Sequence, residues 1–433
     1  MRRNIVSLGA DQLSYEIRGI VGFAKKIERF GQKISWENVG DPVNKGEKIP
    51  TWIKNIIKDI VDDDLSWGYS PTKGIDKTRE FLALIANREG NNRLNREDIV
   101  FFNGLGDAIS KVYSLLNSNA RVIGPSPAYP THSSAEGAHS NYEQITYKLD
   151  PKNNWIPDIE DLRFKVKYNN GIAGILIINP DNPTGMVYPR KVLEEIIAIA
   201  REYDLFLISD EIYCKLVYNG GEMVSLSELI NGDIPTIIMK GISKEFPWPG
   251  GRCGWIEVYN KDRDENFARF FKSIVDSKML EVCSTTLPQM AIPKIFTNPK
   301  YQNYIEERNK VFERRSNLVY NLLKDVPGII VNKTQGAFYT SIVFEKDVLN
   351  VNQKLKIENP NIETYVKSQL EGLSLDKRFV YYLLGSCGIC VVPLSSFCSD
   401  LQGFRITLLE EDWNKFQWIF KTLKEKIEEY LSS

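Results

Sequence analysis

Two continuous apolar runs joined by one amphipathic helix restrict this chain more than any other feature. They are "GIAGILIIN" at 171–179 and "LFLISDEIY" at 205–213. Strands this uniformly apolar are buried on both faces, and a parallel sheet covered by helices on each side provides that burial. "PDNPTG" after the first run is turn chemistry, and "YPRKVLEEIIAIAREYD" carries apolar residues at helical spacing. The pieces form a βαβ unit, right-handed by default, and another apolar run at 235–239 adds a strand. The expected fold class is α/β, with a mostly parallel sheet wrapped by helices in one large domain. Ligands in such sheets sit beyond the carboxyl ends of the strands, where Asn182, Asp210 and Lys244 fall.

Lys244 stands in "GISKEFPWPGGRCGW" at 241–255, with Arg252 following among glycines and prolines. Burial disfavours the charged ammonium and frees an amine able to form a Schiff base with a carbonyl. The guanidinium fork of Arg252 suits a phosphate, and glycine lets backbone approach closely. Together they suggest a phosphorylated aldehyde cofactor, while a strand-end lysine and a surface ion pair is the plainer alternative. Asp210 is placed to keep a pyridine nitrogen protonated, and Asn182 and Tyr213 to hydrogen-bond a phenolate oxygen on the same ring.

Other segments supply further candidates. Residues 11–30 read as an amphipathic helix, and "ISWENVGDPV" as a short strand ending in a turn at Gly40. A helix is expected at 51–63, and the loop marked by Pro71 and Gly74 holds Tyr69, a packing residue or a hydroxyl donor to phosphate, and leads into another helix. "DIVFFNGLGDAISKVYSLLN" reads as strand, turn and a helix from about Asp107. Entry through Gly104, Leu105 and Gly106 would point free N–H groups and the positive dipole end at an anion. Tyr129, stiffened by Pro125, Pro127 and Pro130, either stacks on a flat ring or packs in the core.

The chain of 433 residues carries 55 basic and 56 acidic side chains, a formal net charge of -1. Such balance leaves no broad electrostatic footprint for nucleic acid or anionic membrane and favours a small-molecule partner. Six cysteines are scattered, which fits a reducing compartment. The "CGIC" of Cys387 and Cys390 reads as structural thiols rather than half of a metal site, and no metal ligand set is expected. Neither a signal-type apolar region nor the ~18 apolar residues of a membrane span is present, so a cytoplasmic location is expected.

The motifs "NVGDP", "GYSPTKG", "NGLGDAIS", "PAYP", "NPDNPTG", "SDEIY", "SKEFPWPGGRCGW", "GAFY" and "GFRITLL" stand in a fixed order. In that order and spacing, from about Ser14 to the C-terminus, the chain resembles the pyridoxal-phosphate aminotransferases of fold type I, class I/II. The resemblance implies that Lys244 carries pyridoxal 5'-phosphate as a Schiff base and shuttles the proton. It implies that Asp210 pairs with the pyridinium nitrogen, Tyr213 and Asn182 bind the ring hydroxyl, and Tyr129 stacks on the ring. Gly104, Leu105, Gly106, Ser243 and Arg252 would surround the phosphate, with Tyr69 reaching the phosphate of a neighbouring subunit in a homodimer. Arg405 would clamp the substrate α-carboxylate, which the Gly40 backbone and Asn182 also meet. Residues 45–310 would form the large cofactor-binding domain, and 1–44 with 311–433 a smaller α+β domain closing over it.

Two departures stand out: Gly241 replaces a serine common in the family, and "FPWPGG" places Phe246 and Trp248 between lysine and arginine. The expected reaction is amino transfer between an uncharged aromatic or aliphatic amino acid and a 2-oxo acid, with 2-oxoglutarate favoured by family habit. Phe246, Trp248, Trp36 and Tyr15 are candidate aromatic walls. A β-lyase or synthase on the same fold is the alternative, and a non-enzymatic cofactor-binding sensor a more distant one.

Overall fold

In the apolar run at 171–179, the strand Ile172–Ile178 pairs in parallel with Phe206–Asp210, Gly174 opposite Phe206 and Ile178 opposite Asp210. This computed structural model describes residues 5–13, 16–90 and 93–433. On its far side Phe206–Asp210 pairs in parallel with Thr236–Gly241. The helix Arg190–Glu202 crosses between the two apolar strands and buries Leu193, Ile196, Ile197 and Ala200 against the sheet.

The complete sheet has eight strands. Their order is Ile99–Phe102, Gly254–Tyr259, Thr236–Gly241, Phe206–Asp210, Ile172–Ile178, Arg121–Ser126, Thr146–Asp150 and Ile156–Pro157. Gly254–Tyr259 runs antiparallel to both neighbours, and the short Ile156–Pro157 antiparallel to Thr146–Asp150. Sequence reasoning does not assign Gly254–Tyr259, because the buried Glu257 breaks its apolar pattern. That carboxylate accepts from Lys240 Nζ at 3.1 Å, Trp255 Nε1 at 3.1 Å and Tyr259 Oη at 3.0 Å, so it is held as a satisfied polar group. The helix expected from about Asp107 starts at Leu105, because Gly104 at φ +83° turns the chain directly out of the strand Ile99–Phe102.

A second apolar cluster surrounds a four-stranded sheet made of Ile329–Val331, Tyr339–Phe344, Gly403–Thr407 and Val392–Pro393. The helix Glu16–Arg29 contributes Ile20, Phe23, Ala24 and Ile27, and Trp413–Leu431 contributes Phe416, Ile419, Phe420, Leu423, Ile427 and Tyr430. Both sets repeat every three to four residues, the spacing that puts them on one helical face. Ser35–Trp36 pairs in parallel with Ile389–Cys390, joining the N-terminal segment to this cluster. Cys390 is buried there, and Cys387 Sγ donates to the Leu383 carbonyl at 3.2 Å. Burial pushes the Cys387 thiol up to about 11, which keeps it neutral and suited to packing.

Among the described residues, no helix is long and apolar enough to cross a membrane. Tyr15 lies outside them. Ile177, next to the last residue of the strand Ile172–Ile178, has no exposure. Ile177→Ala is expected to lower unfolding stability by about 2–5 kcal/mol through lost burial and a residual cavity, as read by urea denaturation.

Candidate active site

The carboxyl ends of the three central strands open into a cavity of about 360 Å³. Each strand delivers a different chemistry there. After Ile172–Ile178 the chain turns through Asp181, whose Oδ2 accepts from Thr184 N at 3.1 Å and Thr184 Oγ1 at 2.5 Å. That closed turn presents Asn182 to the cavity. Asp210 ends its strand, with Oδ1 accepting from Ile212 N at 3.1 Å and Oδ2 3.1 Å from His132 Nε2. His132 is fully buried, and against an ionised Asp210 its ring donates through Nε2. Tyr213 follows one turn later and donates to Tyr339 Oη at 3.2 Å. Burial holds the Tyr213 phenol well above its ordinary pKa, so it remains a hydrogen-bond donor at neutral pH.

Lys244 lies on the single turn Ile242–Glu245 that follows Thr236–Gly241. Its Nζ donates to the Gly40 carbonyl at 2.7 Å and stands 5.5 Å from the Phe338 ring centre. Burial brings the amine down from its usual range to about 8; Asp41 opposes that shift, while Arg405, Arg308 and Arg252 reinforce it. A side chain on Gly40 would collide with Tyr339 Oη, so backbone fills that place.

Arg405 comes from the other sheet, in the strand Gly403–Thr407. It is almost fully buried, with its guanidinium 4.4 Å from the Tyr339 ring centre and 4.9 Å from that of Phe397. Its Nη1 donates to Asn182 Oδ1 at 3.3 Å and its Nη2 to the Asn38 carbonyl. The Arg405 Nε and both polar atoms of the Asn38 side chain are buried without a hydrogen-bond partner among the described residues. Buried polar groups without partners are costly, so a carboxylate entering here would meet donors already stripped of water.

At the opposite end of the cavity the helix Leu105–Ser114 presents its N-terminus, with no side chain capping it. Arg252 leans on this end, donating to the Asn103 carbonyl at 3.1 Å and the Pro249 carbonyl at 3.2 Å. A side chain on Gly104 would strike the Arg252 guanidinium. Free N–H groups, the helix dipole and a guanidinium thus converge on one anion-sized place.

Of the residues singled out from the sequence, Gly40, Leu105, Gly106, Tyr129, Asn182, Asp210, Tyr213, Ser243, Lys244, Arg252 and Arg405 line this cavity. Gly104 lies against Arg252 at its edge. Tyr69 does not line it and is 87% exposed. The candidate aromatic walls fall elsewhere. Phe246 is buried in the large core, 6.4 Å edge-on from Phe296, and Trp248 packs on the same cluster. Trp36 packs on the second cluster. The apolar wall is instead Val21, Val39, Ile212 and Tyr339. Sequence reasoning missed His132, Asn38 and the role of Tyr339. For His132 the available signal was its place three residues after Tyr129, one turn into the helix Pro130–Ser140.

The lowered pKa of Lys244 has a direct consequence for its reactivity. In cofactor-free protein, acylation of Lys244 followed by peptide mass spectrometry should reach half its limiting rate near pH 8. Exposed lysines should do so near their usual ~10.4. Co-titration of Lys244 with those lysines would contradict the burial argument.

Comparisons with known proteins agree with this geometry. Residues 35–415 match the family described as aminotransferase class I and II. An uncharacterized aminotransferase of Methanocaldococcus jannaschii is 59% identical over 433 residues, covering 100% of each chain. A glutamate-pyruvate aminotransferase of Escherichia coli is 30% identical over 80% of this chain and 84% of its own length. The alanine aminotransferase from Pyrococcus furiosus superposes with a TM-score of 0.84 at 26% identity, covering 97% of this chain and 100% of that one. A family match spanning most of the chain and a full-length relative, on a fold whose cavity gathers a lysine, an aspartate and two arginines, make this chain a member of the class I and II aminotransferases.

Proposed function

We propose that this enzyme is a pyridoxal-phosphate-dependent aminotransferase acting on an uncharged amino acid, with glutamate and 2-oxoglutarate as the paired half-reaction. The carrying observation is the convergence of Lys244, Asp210, Asn182, Tyr213, Arg252 and Arg405 on one cavity of about 360 Å³. The residues present fit the cofactor: a glycine-lined helix end beside Arg252 for the phosphate, a buried carboxylate, and an amine lowered to about 8.

When bound, pyridoxal phosphate supplies a reactive carbonyl and an electron-withdrawing ring. Lys244 would attach it covalently, and Leu105, Gly106, Ser243 and Arg252 would hold its phosphate. Asp210, oriented by His132 at 3.1 Å, would present its carboxylate to a pyridine nitrogen. Tyr129 would cover the ring face, and Tyr213 and Asn182 would donate to its hydroxyl. Arg405 would meet the substrate carboxylate with a planar fork, helped by the Gly40 backbone. Lys244 Nζ, with a pKa of about 8, is balanced between holding and releasing a proton near neutral pH and so suits the transfer at the substrate α-carbon.

Two further parts belong to the proposal. Residues 1–44 and 311–433 form a small domain that closes over residues 45–310. A second copy of the chain covers the exposed face on which Leu65 is 76%, Trp67 76%, Tyr69 87% and Leu280 91% exposed. The chain just beyond Leu280 meets the Tyr69 loop where Thr286 Oγ1 donates to the Gly68 carbonyl at 2.8 Å. Tyr69 then completes the partner's phosphate site. An uncharged substrate is supported by the wall of Val21, Val39, Ile212 and Tyr339 and by the names of the E. coli and P. furiosus relatives.

Borohydride treatment of loaded protein should leave cofactor mass on the Lys244 peptide, and Lys244→Ala should lose both this label and turnover. With one amino acid and no acceptor, wild-type enzyme should yield one equivalent of 2-oxo acid per site and stop. Continued release of ammonia would mark a β-lyase instead.

The substrate reading is checked by an amino-acid panel with 2-oxoglutarate as acceptor. Alanine or another uncharged amino acid should give the highest kcat/KM. An aspartate value more than about tenfold above all of them, ~1.4 kcal/mol of discrimination, would overturn it.

A further inference from the structure

A third arginine, this one buried, stands behind the site rather than in it. Arg308 projects from the helix Tyr301–Leu323 with only 5% of its side chain exposed. Its Nε and Nη2 donate to the two carboxylate oxygens of Glu47 at 2.5 and 2.9 Å. Its Nη1 reaches the main chain of the lysine turn, donating to the Lys244 carbonyl at 2.5 Å and the Glu245 carbonyl at 3.1 Å. The turn Ile242–Glu245 is too short to satisfy its own last carbonyls, and the arginine does so in place of a following helical turn.

These contacts close a ring. From the Lys244 carbonyl it passes through Arg308 to Glu47, back along the chain to Gly40, and from the Gly40 carbonyl to Lys244 Nζ at 2.7 Å. The chain between is itself braced: Glu47 N donates to the Pro42 carbonyl at 3.0 Å, and Lys45 pairs with Glu37 at 2.6 Å. On the same helix face Phe312 lies 5.4 Å from the Arg308 guanidinium and 5.9 Å from Phe338, the ring beside the lysine amine.

We propose that Arg308 and Glu47 act as a two-pronged clamp that positions Lys244, fixing its turn to the segment carrying Gly40 so that the amine stays aligned for proton transfer. Arg308 is a positioning residue, acting through the lysine backbone. Its fork is the element that matters, since a guanidinium grips two carboxylate oxygens and two carbonyls at once where an ammonium cannot. Its charge acts as well, as one of the groups that face the amine. The others are Asp41, Arg252 and Arg405, with Asp210 and Tyr213 in the same cavity and Glu245 next in the chain. The inference rests on Lys244 as the reacting amine, and labelling of cofactor-free protein reads the Arg308 charge at the amine independently of that role.

The test separates charge from fork. Arg308→Gln removes both, and acylation of Lys244 at pH 7.5 in cofactor-free protein should slow by about threefold, because losing a neighbouring positive charge favours the protonated amine. Arg308→Lys keeps the charge, so labelling should stay at the wild-type rate. Its kcat should nevertheless fall about tenfold with KM little changed, because misalignment affects the chemical step rather than substrate binding. Wild-type labelling in Arg308→Gln, or a kcat for Arg308→Lys within about twofold of wild type, would overturn the proposal. Should Arg308→Gln fail to fold, Glu47→Gln reads the same link: kcat falls, and combining it with Arg308→Lys adds no further loss. Fully additive losses would instead show two unconnected effects and overturn the clamp.

Discussion

Partial burial of one amine is the constraint on which the site depends. Taking a lysine out of water disfavours its charged form, and three guanidinium groups disfavour it further. Burial with Arg405, Arg308 and Arg252 prevails over the opposing Asp41 and leaves Lys244 at about 8. Those arginines come from three different parts of the chain. Arg405 sits on the four-stranded sheet, Arg308 on the helix Tyr301–Leu323, and Arg252 ahead of the strand Gly254–Tyr259. Each also has a carbonyl to hold it: that of Asn38, of Lys244 and of Asn103 respectively. Arg405 also donates to Asn182 beyond the strand Ile172–Ile178, so one of the groups that tune the amine joins the two sheets.

The parallel strands explain why the chemistry collects at one end. Ile178 opposes Asp210 and Asp210 opposes Met239 in register, so the residues that follow these positions leave the sheet on one side. Mostly apolar side chains fill the strands up to that edge, and the polar ones that face the cavity begin with Asp210, the last residue of its strand. Asn182, Asp210, Tyr213 and Lys244 occupy the first positions at which a polar side chain can face a cavity rather than a core.

Much of this was legible in the sequence, and its limits have physical causes. The βαβ unit could be read because its strands are apolar without interruption, and the strand-end residues followed from it. Gly254–Tyr259 could not, because a buried Glu257 satisfied by Lys240, Trp255 and Tyr259 looks like a surface residue until its partners are seen. His132 and Arg308 were illegible for a similar reason: their partners, Asp210 and Glu47, lie far along the chain. Phe246 and Trp248 were placed near the site by their neighbourhood to Lys244. The turn Ile242–Glu245 ends at Phe246 and sends that ring into the core against Phe296.

The glycine at 241, where a serine is common among relatives of this kind, follows from crowding rather than from backbone strain. Gly241 is extended and pairs with Gly254 across the two strands. A side-chain carbon at 241 would lie 3.0 Å from the Cys253 carbonyl and 3.1 Å from Gly254 Cα and Ile212 Cδ1, tighter than ordinary van der Waals contact. On the other strand, a side-chain carbon at 254 would lie 2.9 Å from Leu105 Cδ2 and 3.1 Å from Leu105 N. The glycine pair thus lets the strands carrying Lys244 and Arg252 draw together and brings the helix Leu105–Ser114 down onto them. The N–H groups of a helix N-terminus drawn in this way need no side chain to be available at the cavity.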